Sequence, residues 1–192
     1  MTRLYLIRHG PTHARAMVGW SDLPADLGDR AALKRLSARL PAAAVVVSSD
    51  LCRAAATADA IQGRRRRLPH RRDLREIDFG AWELRDMREI EMQDPELARA
   101  YWRSPGDIRA PGGESWNQMR NRADAAIDAL MAEHAGGDVV IVAHLGVILT
   151  QIQRALGLSA AAVISRRIDN LSLTRITRTD SGWSVGAINR LP

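Results

Sequence analysis

The sequence predicts an α/β fold, a three-layer α/β/α sandwich on a mostly parallel sheet with helices on both faces. Three observations carry that expectation. Unbroken apolar runs recur at 4–7 (LYLI), 44–47 (AVVV) and 139–143 (VVIVA), the pattern of central strands covered on both faces. Helical pattern follows each of them, over roughly 27–40, 51–62 and 145–156. No repeat, low-complexity tract or linker-like stretch breaks the chain, so residues 1–192 are expected to form one domain.

The segment 115–134 carries the clearest helical stripe. Trp116, Met119, Ala123, Ile127 and Leu130 recur on one face, with Arg120, Asn121, Asp124 and Asp128 elsewhere. Gly136-Gly137 is its expected stop. The tail, about 163–189, alternates polar and apolar residues and predicts strands closing in a hairpin around Asp180-Ser181-Gly182.

Composition narrows the function classes. The chain has 46% hydrophobic residues, enough for a proper core, and a net charge of +6 carried by arginine, with Lys34 the only lysine. The single cysteine, Cys52, allows no internal disulfide, which points to a reducing cytoplasm. Neither a signal-peptide pattern nor an apolar stretch of the roughly 20 residues that span a membrane is visible, so no membrane partner is expected. The densest basic cluster is GRRRRLPHRR, residues 63–72. It holds no aromatic residue for base stacking. It reads as a solvated loop that at most steers anions inward, and a nucleic-acid partner is disfavoured.

In open α/β sheets ligands sit beyond the C-terminal ends of the strands. Arg8 and His9 follow the first strand, Ser48-Ser49-Asp50 the second, and His144 follows VVIVA, while Arg53 stands a turn into the helix after the second strand. If the strands are parallel neighbours, two arginines and two histidines converge on one crevice. Such a cluster calls for an anion, and planar guanidinium forks suit phosphate oxygens. One imidazole can attack phosphorus while the other donates to the oxygens. A leaving alkoxide needs a proton, and Glu76 in LREIDFGAWE is a suitable donor.

Rival chemistries use the same residues. His9 and His144 could be structural core histidines. A metal site would combine His9, His13 and His144, but Gly10-Pro11 disrupts a helical H-x-x-x-H and the arginines repel a dication. No G-x-x-x-x-G-K-[ST] loop is present, which disfavours a P-loop enzyme. Cys52 lacks any nucleophile signature.

Five motifs in order carry a resemblance. LYLIRHGPT, SSDLCRAAATA, LREIDFGAWE, PGGESW and VVIVAHLGVI resemble those of the histidine phosphatase superfamily, the phosphoglycerate-mutase-like proteins, across most of the chain. The resemblance implies a phosphohistidine at His9, oxygens held by Arg8, Arg53 and His144, and Glu76 as acid and then base. It implies no metal and no organic cofactor. Thr12, His13, Glu114 and Leu145 are candidate pocket residues; for Glu114 the equal alternative is capping the long helix and favouring its positive N-terminal dipole.

Departures from the family habit fall at Pro11, near Arg15, and at Leu145, where a glycine is frequent; leucine lacks glycine's backbone range and adds bulk. The short span between Glu76 and His144 favours a phosphatase over a mutase. The segments FGAWE and PGGES resemble the branch of α-ribazole phosphatase and broad-specificity phosphatases. The substrate expected is a small phosphorylated metabolite, and a homodimer is left open. A catalytically weak phospholigand-binding protein of the same fold is the competing reading.

Overall fold

The computed structural model describes residues 1–192. The three apolar runs become β1 (Thr2–Arg8), β2 (Val45–Ser48) and β4 (Asp138–Ala143), with the two-residue β3 (Arg66–Arg67) between β2 and β4 in sequence. With β5 (Leu173–Thr179) and β6 (Gly182–Val185) they form one six-stranded sheet in the order β3-β2-β4-β1-β5-β6. Strands β1 to β4 run parallel and β5 and β6 add an antiparallel edge. The sheet is therefore mixed, parallel at its centre.

Alternation along β1 explains why the run had to be apolar throughout. Leu4 and Leu6 join one core with Val139 and Ile141, while Tyr5 and Ile7 join the other with Val140 and Val142. Helices α1 (Arg30–Ala38) and α2 (Cys52–Ile61) cover the second face. The first is covered by α5 (Trp116–Glu133) and α6 (Leu145–Leu156), by α3 (Met87–Gln93) and α4 (Pro95–Arg103), and by α7 (Ala160–Ile164). Full burial of each such Leu or Ile is worth about 1.5–3 kcal/mol, so both layers are held to the sheet.

Helix α5 matches the stripe read from the sequence, and its buried residues are Trp116, Met119, Ala123, Ile127 and Leu130. Ser115 caps it, accepting from Gln118 N while the Gln118 side chain returns to Ser115 N. Two elements differ from expectation. The tail is helical through Ile164, because Ser159 caps α7 by accepting from Ala162 N, and strand structure begins only at Leu173. Residues 87–103, where no element was expected, form the α3–α4 pair, each helix opened by an aspartate cap, Asp86 and Asp94.

The arginine-rich stretch is more than a solvated loop. Arg65 donates to the carbonyls of Ser37, Leu40, Pro41, Ile61 and Gln62, tying together the C-terminal ends of α1 and α2. Arg67 pairs with Asp59, and Arg71 with Glu133 at the end of α5.

Candidate active site

β1 and β4 are adjacent and in register, Arg8 opposite Ala143, so the residues that follow each strand emerge side by side. The rings of His9 and His144 lie 5.0 Å apart, tilted by 59°. Arg53 reaches them from the first turn of α2, and Glu76 from the irregular segment after the first 3₁₀ turn, Arg72–Leu74. Arg8, His9, Arg53 and Glu76 line one cavity of about 230 Å³. His9, Arg53, Glu76 and His144 are all buried.

His9 is oriented at both nitrogens. Nδ1 lies 2.7 Å from the Gly10 carbonyl, which only a protonated nitrogen can satisfy, so Nε2 keeps its lone pair. Arg53 Nε donates to that Nε2 at 3.3 Å. Burial is the main cause that pushes the His9 pKa down to about 3; the Gly10 bond opposes it, and the charges of Arg53 and Arg8 add to it. His144, fully buried, is held well below the ordinary histidine range first by burial and then by His9 and the arginines. Both rings are neutral at ordinary pH. His144 Nε2 lies 2.7 Å from Ser49 Oγ, and its Nδ1 is buried with no partner in the chain.

The two arginines are built differently. Arg53 is 1% exposed and spends its Nη atoms on backbone, donating to Ser21 O at 2.7 Å and Gly19 O at 2.6 Å. Arg8 donates to Ile168 O at 2.6 Å and leaves Nε unpartnered. Neither forms a salt bridge to a carboxylate. Burial lowers both pKa values, with the charge of Glu76 opposing, and guanidinium stays charged regardless. Two such cations beside neutral imidazoles make an anion site.

The Glu76 carboxylate faces the N-terminus of α6, where Gly146 N lies 3.1 Å from each oxygen. A Cβ on Gly146 would sit 2.4 Å from Glu76 Oε1 and 2.9 Å from Met119 Sδ. The glycine needed in this motif is therefore Gly146. Leu145 is an ordinary first residue of α6 with no positive φ, so the expected conflict with glycine's backbone range does not arise; its side chain forms apolar wall.

Other sequence-chosen residues separate. Thr12 lines the cavity together with Ala14 and Ala16, whereas His13 and Arg15 lie between them and outside it. His13 sits at φ 57°, exposed, and binds Asp26 at 2.9 Å, which removes it from any His9–His144 metal set; no three His, Cys, Asp or Glu side chains are grouped as metal ligands. Glu114 neither walls the cavity nor caps α5. It grips Arg122 through two 2.7 Å bonds, and Arg122 in turn donates to the carbonyls of Asp73, Arg75 and Glu76. The Cys52 thiol pKa is pushed up by burial and by Asp22, the wrong direction for a nucleophile.

Sequence reasoning missed the distal wall. Met17, Val18, Phe79, Met87 and Trp102 close the cavity, two of them from the α3–α4 pair. The capping residues Asp86-x-x-Glu89 and Asp94-Pro95 were the signal available for those helices.

With this geometry in place, residues 4–190 match the family model of the histidine phosphatase superfamily, branch 1. The chain belongs to that superfamily. Its relatives include a probable phosphoglycerate mutase GpmB of Proteus mirabilis (strain HI4320), 33% identical over 193 residues, covering 95% of this chain and 88% of that protein. Among solved structures, YhfR of Bacillus stearothermophilus superposes with a TM-score of 0.90 at 30% identity, covering 100% and 98% of the two chains. The α-ribazole phosphatase of Shigella flexneri gives 0.85 at 26%, covering 99% and 98%. A mycobacterial glucosyl-3-phosphoglycerate phosphatase gives 0.82 at 29%, covering 99% of each. None of its helices is long and apolar enough to cross a membrane.

Proposed function

We propose that the protein is a metal-independent phosphomonoesterase that works through a phosphohistidine at His9. The observation that carries this is the Nε2 of His9, kept unprotonated by the Nδ1–Gly10 bond, met by the Arg53 guanidinium at 3.3 Å and facing a cavity that Arg8 also lines. The phosphoryl group would sit on Arg8, Arg53 and His144, whose Nδ1 has no partner in the chain; a Ser49 hydroxyl that donates to Nε2 would leave the ring's proton on Nδ1 for a phosphoryl oxygen. His9 Nε2 attacks phosphorus as the P–O bond to the alcohol breaks, and Glu76 gives its proton to that oxygen. Water then attacks the phosphohistidine, its proton passing to the Glu76 carboxylate, and inorganic phosphate and free His9 result.

A phosphatase is favoured over a mutase by the distal wall. Apart from Arg8 and Arg53 no cation lines the cavity, and most of its residues are apolar. A phosphorylated carboxylic acid would find no second positive partner there, whereas a small phosphate ester with an uncharged, largely apolar alcohol fits. The related proteins are named both as phosphoglycerate mutases and as phosphatases, and the apolar wall supports the phosphatase reading.

The test is turnover of p-nitrophenyl phosphate with a chelator present, together with alkaline-quench trapping of labelled enzyme, since the P–N bond of a phosphohistidine survives base and is lost in acid. Wild type is expected to hydrolyse the ester and to carry label on His9. Equal turnover by His9→Ala would overturn the proposal, as would tight phosphate binding with no trapped intermediate, the outcome a pure binding protein would give. Isomerisation of 3-phosphoglycerate faster than its hydrolysis would restore the mutase reading.

A further inference from the structure

One carboxylate outside the phosphate cavity's machinery organises a short loop that touches both halves of it. Glu83, from the 3₁₀ turn region that follows Gly80–Trp82, accepts Gly19 N at 3.1 Å, Trp20 N at 2.7 Å, Ser21 N at 3.2 Å, Ser21 Oγ at 2.6 Å and Phe79 N at 3.2 Å. A trans peptide sets each carbonyl opposite the next residue's N–H, so the Trp20 amide held by Glu83 turns Gly19 O away from it, while Ser21 is fixed through both its amide and its hydroxyl. Gly19 O and Ser21 O are the acceptors that hold Arg53, at 2.6 and 2.7 Å. Between them, the indole Nε1 of Trp20 donates to the backbone carbonyl of Glu76 at 2.7 Å.

We propose that Glu83 is a positioning residue for catalysis, fixing the loop Gly19-Trp20-Ser21 so that its carbonyls aim Arg53 at the phosphate and its indole holds Glu76 at the leaving group. The loop lies against the 76–83 segment closely enough to require a glycine. A Cβ on Gly19 would meet Ile77 O at 2.1 Å and Glu83 Oε1 at 2.4 Å, and contacts under 3 Å with backbone are not relieved by a side-chain swing. Glu83 itself is built to remain ionised: burial raises its pKa, but the Ser21 hydroxyl and the amides of Trp20, Phe79 and Gly19 more than offset this and leave it lowered. A carboxylate is the right group, since it is acceptor-only and can take several donors at once. A glutamine would turn an NH₂ toward the same amides.

The inference rests on the phosphatase reading for its kinetic arm and on phosphate affinity alone for its binding arm. Full-length Glu83→Gln is compared with wild type in three measurements: the affinity for inorganic phosphate, kcat/KM for p-nitrophenyl phosphate, whose phenolate leaves without an acid, and kcat/KM for an alkyl phosphate, which needs Glu76. Glu83→Gln is expected to weaken phosphate binding by about tenfold, as the loss of hydrogen bonds to a charged group implies, and to lower kcat/KM more for the alkyl than for the aryl ester. Trp20→Phe, which removes the indole donor and trims the ring against which Arg72, Arg75 and Arg122 lie, is expected to keep phosphate affinity and lose selectively on the alkyl ester. Simple destabilisation would lower the Tm without changing that ratio. Phosphate affinity within about twofold of wild type and an unchanged alkyl-to-aryl ratio in Glu83→Gln would overturn the proposal. Should that variant not fold, Ser21→Ala decides instead, with weakened phosphate binding supporting the role and unchanged binding ending it. An inactive wild type would count against the phosphatase reading, while the phosphate affinities would still decide on Glu83.

Discussion

Arg53 Nε and His9 Nε2 meet at 3.3 Å, guanidinium donor to imidazole lone pair. The contact holds a cation against the nitrogen that would attack phosphorus, with the Arg53 Nη atoms committed to Ser21 O and Gly19 O behind it. Lysine has a single ammonium and cannot serve His9 and two carbonyls from one planar fork. Arg53→Lys is therefore expected to lower kcat/KM by roughly 10²–10³-fold, the scale of losing one preorganised donor to transition-state charge. Steady-state kinetics on an aryl phosphate measures it, and retention of a third of wild-type activity would show that the fork is dispensable.

Burial of neutral His9 has a thermodynamic signature. Its pKa stands at about 3 in the folded chain against the ordinary 6.5, and His144 is shifted the same way. Between those pH values the unfolded chain binds protons that the folded chain refuses. Stability rises with pH across that window: its full value is reached above about 6.5 and it erodes as pH falls toward about 3. The Tm of wild type is expected to fall on acidification from pH 7 to 4. In His9→Gln, which removes one of the two groups, the slope should be shallower. Parallel Tm curves for the two proteins would mean that His9 is not held neutral by the fold.

What the sequence made legible is what one strand or one motif carries by itself. LYLI and VVIVA could only be strands buried on both faces, and once they are neighbours Arg8, His9 and His144 must share an edge. Glu76 was singled out because a leaving group needs an acid and the motif supplied one, and the structure sets it in the same cavity as His9. Pairings across the chain were not legible. Glu114 to Arg122 spans eight residues with Glu114 outside the helix, so no periodicity announces it. Glu83 serves residues 19–21, more than sixty positions away. His13 was a candidate pocket residue from its place in the motif, but the backbone at φ 57° turns it out to Asp26.

That turn makes His13 a control. His13→Ala removes an exposed ring and one surface pair with Asp26. Surface changes of this kind usually alter stability by no more than about 0.5 kcal/mol. kcat/KM is expected to stay within about twofold of wild type. A large loss would place His13 at the substrate, against its observed position.

Gly146 is the opposite case, a residue with no side chain whose replacement should act on the reaction. An added methyl would meet Glu76 Oε1 at 2.4 Å and the Met119 thioether at 2.9 Å, and Met119 is fully buried. The carboxylate has to move or the helix has to shift. Gly146→Ala is expected to cost about 1–3 kcal/mol from overpacking and to impair alkyl phosphates more than aryl phosphates, because the displaced group is the acid. Chemical denaturation and paired kcat/KM values check the two parts separately. Equal loss on both ester classes would mean that Glu76 is not the proton donor.

Arg65 tests whether the basic stretch is architecture. Its guanidinium gathers carbonyls from the ends of α1 and α2, and truncation leaves those acceptors to water or to nothing. Losing hydrogen bonds to a charged group costs about 1.5–3 kcal/mol, so Arg65→Ala should lower stability by about that amount in a denaturant titration while kcat/KM of the folded enzyme is kept. Arg64→Ala and Arg66→Ala, which change exposed side chains beside it, are expected to leave stability unaltered. If instead all three variants were equally stable and lost steady-state rate in low salt alone, the stretch would be acting through long-range attraction of anionic substrate rather than through its bonds to the helix ends.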